Sequence, residues 1–166
     1  GGAIACDGGG SVSVWDSQLS FNEAGLNGGA AHMNNGCSFY LYGADLLQGI
    51  LFNDAEFFGG GVYAAEDSLV FIDSNRFDKK VALISSNSAR FGGGVTVADE
   101  SRLVVIDATI DNNTASVSGG GIYSSFSDGE IRRIKPGAKT QTYAVPSTKF
   151  SPLITLRNNT KCGFLA

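Results

Sequence analysis

Two short motifs recur in phase along this chain, and their joint recurrence limits what it can fold into. Paired glycines followed by small or aliphatic residues open at Gly1-Gly2-Ala3-Ile4, Gly28-Gly29-Ala30-Ala31, Gly59-Gly60-Gly61-Val62, Gly92-Gly93-Gly94-Val95 and Gly119-Gly120-Gly121-Ile122. Successive openings lie 27, 31, 33 and 27 residues apart. An aliphatic residue stands three positions before an asparagine at Leu19/Asn22, Ile50/Asn53, Ile84/Asn87, Ile110/Asn113 and Leu156/Asn159. In the first four copies the next glycine pair follows the asparagine by five or six residues. With 23 glycines in 166 residues, clusters of glycine alone would mean little. Two motifs locked together over four copies mark an internal repeat, and a period of this size points to a solenoid.

Between the motifs, apolar and small polar residues alternate with period two, as in Ser11-Val12-Ser13-Val14-Trp15 and Phe39-Tyr40-Leu41-Tyr42. Leu69-Val70-Phe71-Ile72 and Leu103-Val104-Val105-Ile106 are denser apolar runs of strand length. No helical period is present, so the class is all-β. Three short strands per turn, joined by polar turns, suit a right-handed parallel β-helix with about 27–33 residues per turn. Each turn would rise by about 4.8 Å, the spacing between paired strands. An antiparallel sandwich is the rival, but it would not repeat the glycine opening so strictly. Equivalent side chains should then stack: Val62, Val95 and Ile122 in an interior ladder, and Asn22, Asn53, Asn87 and Asn113 in an asparagine ladder at a turn. Phe52 and Phe71 are expected in the core, while Tyr40 and Tyr42 are open. Phe77 and Ile84 compete for one position in the third turn.

The repeats span 1–123, with turns starting near 1, 28, 59, 92 and 119. The stretch 124–151 breaks the pattern and reads as an irregular basic loop or insertion, and 152–166 as a returning strand. Of the 16 acidic residues 14 lie in 1–123, whereas seven of the 12 basic residues lie in 124–166. Docking of that basic stretch on the acidic coil, of this molecule or a neighbour, is one reading; a solvated loop is the other. Its bases are too sparse for a dedicated nucleic-acid site. No apolar run is long enough to span a membrane as a helix. The only methionine is Met33, so the chain reads as a processed piece or an excerpt of something longer.

Cys6, Cys37 and Cys162 are odd in number and lack metal-site spacing. Cys6 and Cys37 both follow a glycine opening, which leaves two readings: a disulfide between adjacent turns, or small buried hydrophobes. Asn112-Asn113-Thr114 and Asn158-Asn159-Thr160 are glycosylation sequons at Asn112 and Asn158, both in the asparagine turn.

The glycine opening and the aliphatic-x-x-asparagine element together resemble the polymorphic outer membrane protein repeats first described in chlamydiae. Those repeats pair a glycine-glycine-small-aliphatic tetrapeptide with phenylalanine-x-x-asparagine. Gly1-Gly2-Ala3-Ile4 matches the first in full, and Gly59, Gly92 and Gly119 open close variants. Leu19, Ile50, Ile84 and Ile110 stand where the family has phenylalanine. The resemblance covers about 1–123, and weakly 153–160. It implies a parallel β-helix on a cell surface with adhesive or structural duty, and similar repeats occur in large surface proteins of algae and other protists.

β-Helices also carry polysaccharide lyases and hydrolases, which need clustered carboxylates and a base. Asp16 and Asp107 share a register six residues before the turn asparagine, and Asp73 follows an equivalent strand. They could form an acidic column for a cation, or cap strand ends as aspartate commonly does; the second is the stronger reading. Arg133-Ile134-Lys135 resembles a polygalacturonase triplet, without the glycine-histidine-glycine and aspartate pairs that those enzymes use. His32, the only histidine, reads as an exposed turn residue, and no serine or cysteine has an assignable base. The glycine triplets lack the lysine-serine/threonine ending of a phosphate loop.

The expectation is therefore a non-catalytic structural or adhesive module of a larger cell-surface or extracellular protein. It needs no cofactor or metal and is part of an assembly. Its partners would be other chains or flanking repeats stacked on the open ends of the coil, since an uncovered strand edge invites pairing. Surface glycans are a further candidate, through a carbohydrate-binding face using Trp15, Tyr40 and Tyr42, and an enzyme of β-helix fold is the other alternative.

Overall fold

A computed structural model describes residues 1–43, 48–74 and 80–125 in full, with the backbone of four later strands, Asp128–Arg132, Tyr143–Ala144, Thr155–Arg157 and Thr160–Lys161. The chain is a parallel β-helix. Among the described residues every strand pairing is parallel and joins equivalent segments of adjacent turns.

Among the described residues four sheets run along the coil, not the expected three. The first contains Ile4–Asp7, Ala31–Asn34, Val62–Ala64, Val95–Ala98 and Ile122–Ser125. The second contains Ser11–Val14, Ser38–Tyr42, Leu69–Asp73, Arg102–Ile106 and Asp128–Arg132. Leu19–Ser20, Ile50–Leu51, Leu83–Ser85 and Thr109–Asp111 form the third, continued by Thr155–Arg157. The unexpected fourth starts directly after the turn asparagine: Glu23–Ala24, Asp54–Ala55, Ser88–Phe91 and Thr114–Ser118, continued by Thr160–Lys161. Asp128–Arg132 pairs residue for residue with Arg102–Ile106, so the coil's backbone continues into the stretch expected to be irregular.

The interior is built of stacked columns. Ile4, Ala31, Val62, Val95 and Ile122 are in register, and the last four are buried. Val14, Leu41, Ile72 and Val105 form a second buried column from the second sheet, and Ile50, Ile84 and Ile110 a third. Ile84 thus takes the contested place in the third turn; Phe77 lies outside the described residues. Each fully buried Val, Leu or Ile contributes about 1.5–3 kcal/mol, gained within its own turn and against the turns directly above and below.

Two phenylalanines depart from expectation. Phe71 lies between Val70 and Ile72, both fully buried, so strand alternation turns it outward. Phe52 is 51% exposed because it occupies a left-handed corner, φ 55°, whose side chain leaves the coil. Tyr40 and Tyr42 also face outward, alternating with buried Phe39 and Leu41.

Candidate functional site

The recurring residues meet along the axis. Asn22 donates through its backbone N–H and Nδ2 to Oδ1 of Asn53, at 3.0 and 2.9 Å. Asn53 does the same to Asn87, and Asn87 to Asn113. The remaining Nδ2 proton goes the other way: Asn53, Asn87 and Asn113 donate to the carbonyls of Leu19, Ile50 and Ile84 on the preceding turn. The aliphatic residue of each motif thus supplies an interior side chain and the carbonyl that anchors the next asparagine. Asn53, Asn87 and Asn113 are buried, where an unpaired amide would be costly.

One residue before each ladder asparagine the backbone is left-handed: Phe21, Phe52, Ser86 and Asn112 have φ of 57°, 55°, 58° and 52°. This corner swings the chain from the third sheet into the fourth. The glycine opening makes the corner from the fourth sheet into the first. Gly28, Gly59, Gly92 and Gly119 lead it with φ of 61–69°. The second glycine is there for space, since a Cβ on Gly60 would lie 2.3 Å from the carbonyl oxygens of Gly93 and Ser88. Gly2, Gly29, Gly93 and Gly120 hold equivalent places, Gly1 stands where Gly28 does, and Gly93 is pressed by backbone carbonyls in the same way.

Cys6 and Cys37 join the first two turns in a disulfide, with Cα atoms 6.1 Å apart. Cys162, Asn158, Arg133-Ile134-Lys135 and the side chains of the basic stretch lie outside the described residues. Asn112 is exposed, while its neighbour Asn113 is wholly buried in the ladder.

The three aspartates do not form a column. Asp16 and Asp107 occupy positive-φ positions, 41° and 52°, just after second-sheet strands. Asp73 is still within its strand and pairs with Tyr42 and Ile106. The residue beside Asp107 on the turn below is Ser74, whose hydroxyl donates to the Asp107 carbonyl at 2.6 Å. Asp16 forms an ion pair with Lys80. A different set of carboxylates was hidden from sequence reading: Glu66-Asp67 and Asp99-Glu100 fill successive copies of the corner between the first and second sheets. Among the described residues no three His, Cys, Asp or Glu side chains are arranged to hold a metal.

His32 sits within the strand Ala31–Asn34, not in a turn, and is half-buried. Its ring meets Tyr63 edge-on, centroids 5.0 Å apart. Burial holds the His32 pKa below its ordinary 6.5, with the nearby α-amino group adding to the effect and Asp7 and Glu66 opposing it. Burial, with Asp99 and Glu66, pushes the Tyr63 hydroxyl above its ordinary value of 10.0.

The outer faces carry aromatic groups. Trp15 stacks on Tyr42 with centroids 3.7 Å apart and planes 15° from parallel. Tyr40 and Phe71 extend this group, each within 6.3 Å of Tyr42. Phe58, Phe91 and Tyr123 form a second cluster beside the glycine corner. The exposed Phe21 and Phe52 stack as a pair, centroids 5.1 Å apart. No family model, no curated protein and no solved structure matches this chain.

Proposed function

We propose that the chain is a non-catalytic structural or adhesive module of a larger cell-surface or extracellular protein, built from repeats of the polymorphic outer membrane protein type. The observation that carries this reading is the asparagine ladder with its glycine corners. Together they account for every recurring residue by stacking alone. A repeat kept for a ligand would place side chains of one chemistry on an outer face at each turn. Here the recurring glycine, aliphatic and asparagine positions point inward or shape corners, and no outward aromatic column runs through every described turn: Ser13 stands in line with Tyr40 and Phe71, and Asn27 with Phe58 and Phe91. Further turns able to continue the ladder, from the same parent or another chain, would be its assembly partners. A glycan on the exposed Asn112 would project from the corner without disturbing the buried Asn113.

The test is incubation of the chain with polygalacturonate, alginate and hyaluronan, assayed for new reducing ends and unsaturated uronates. The expected result is no cleavage. Turnover that an Asp16→Asn or Asp107→Asn substitution abolished would overturn the reading.

A further inference from the structure

We propose that the outer face of the second sheet, at Trp15, Tyr42, Tyr40 and Phe71, binds a neutral glycan by stacking on a pyranose ring. This goes beyond the scaffold reading and does not depend on it, because a coil of any location could carry such a face.

Strand alternation places these four rings on one side of one sheet. Ser13, Tyr40 and Phe71 are in register on successive turns, and Tyr42 lies beside Asp73. Trp15 follows the inward Val14, so its indole emerges on the same face. Tyr42 covers one face of the indole, yet Trp15 remains 57% exposed. The backbone beneath it is held: the Ser17 hydroxyl donates to the Trp15 carbonyl at 2.6 Å, and Lys80 reaches across from the third turn to Asp16. A single exposed ring is ordinary, whereas rings gathered into one contiguous patch mark a contact site.

Size and charge choose the occupant. Rings of this kind carry about 150–250 Å² each. With Trp15 57% exposed and the other three half-buried, the open aromatic surface is on the order of 300 Å². A stable protein interface needs roughly 800 Å² per partner, so the face is too small for one. Nucleic acid would also stack, but it needs a positive groove, and the chain has a net charge of −4. A hexopyranose with equatorial substituents fits better. Its axial C–H bonds make a flat apolar face for the indole, and polar groups for its hydroxyls lie close in the fold: Asp16, the next residue after Trp15, paired with Lys80, and Ser13, in register with Tyr40. β-Linked glucose and N-acetylglucosamine have this shape.

Trp15 is the only tryptophan in the chain, so its fluorescence reports this site alone. The test is titration with cellotetraose and with tetra-N-acetylchitotetraose, followed by tryptophan emission and by calorimetry. The expected result is a saturable emission change at millimolar sugar with at least one of them. Tyr42→Ala should weaken that binding at least about tenfold, which is 1.4 kcal/mol. Phe52→Ala, an exposed ring on another face, should leave it unchanged. Circular dichroism melts confirm that the variants are folded. The absence of saturable change with both sugars overturns the proposal. So does binding restricted to an acidic probe such as heparin hexasaccharide, or equal weakening by both variants. None of these outcomes bears on cleavage of acidic polysaccharides, so the two readings fail separately.

Discussion

The side-chain amide of Asn53 donates to Oδ1 of Asn87 at 2.9 Å, and the backbone N–H of Asn53 reaches the same oxygen at the same distance. One acceptor thus satisfies two buried donors of the turn below, while Nδ2 of Asn87 donates to Ile50 and Asn113. Removing that side chain takes partners from groups on both adjacent turns: the Asn53 N–H, the Asn53 amide and the Ile50 carbonyl below, and Asn113 above. Each orphaned buried group costs about 1–3 kcal/mol. Asn87→Ala should therefore destabilise the coil by roughly 3 kcal/mol or more, and Asn87→Asp should do at least as badly, because it keeps the acceptors but buries a charge without the donors. Asn22→Ala, at a half-buried position, should cost less. Urea unfolding midpoints of the three variants check the order.

Glycines in this chain are not interchangeable. At Gly60 a methyl group would collide with two backbone carbonyl oxygens that cannot move without breaking the stack. Gly60→Ala should cost several kcal/mol, at the upper end of what point substitutions do. Gly25 has open space around its Cβ position and no positive φ. Gly25→Ala should be neutral or stabilise by about 0.4–1 kcal/mol, through a more restricted unfolded chain. Thermal melts of the two variants should move in opposite directions or differ widely.

The Cys6–Cys37 disulfide closes a loop with a sequence separation of 31. A loop of that size removes unfolded-state entropy worth about 3–4 kcal/mol. The Cys6→Ser, Cys37→Ser double variant should lose stability of that order, as should the reduced native chain. Because each turn leans mainly on its neighbours, hydrogen exchange should quicken first in the first two turns. Uniform quickening would contradict the nearest-neighbour picture.

His32 gives the coil a pH dependence with a definite sign. Its folded-state pKa lies below the ordinary 6.5 because burial disfavours the imidazolium. The unfolded chain therefore binds the proton first. The contribution is present above 6.5 and is lost as pH falls from there through the lower folded value. Tyr63 has the complementary behaviour: its pKa is raised above 10.0, so its contribution is lost as pH rises beyond that. Unfolding free energy measured from pH 8 down to 5 should slope downward, and His32→Gln should flatten that slope.

The axial stacking was legible in sequence because backbone geometry repeats there with the same residue type each time. The asparagine and the leading glycine are needed once per turn, and no other residue does their work. The fourth sheet was not legible because Glu23–Ala24 and Asp54–Ala55 are two-residue strands, too short to show alternation. Phe71 misled because Leu69-Val70-Phe71-Ile72 is apolar on both faces. Only the burial of its neighbours Val70 and Ile72 shows which side is out. Phe52 misled because its direction is set by a corner, φ 55°, and not by hydrophobicity. Trp15, Tyr40 and Tyr42 were legible in sequence as one candidate face, and the missing member was Phe71, which comes from the next turn and was expected in the core.

Peptide mapping of the native protein by mass spectrometry puts the proposed extracellular scaffold to its sharpest test. The expected result is a cross-linked peptide joining Cys6 to Cys37 and a glycan on Asn112. Free thiols at both cysteines together with an unmodified Asn112 would contradict it.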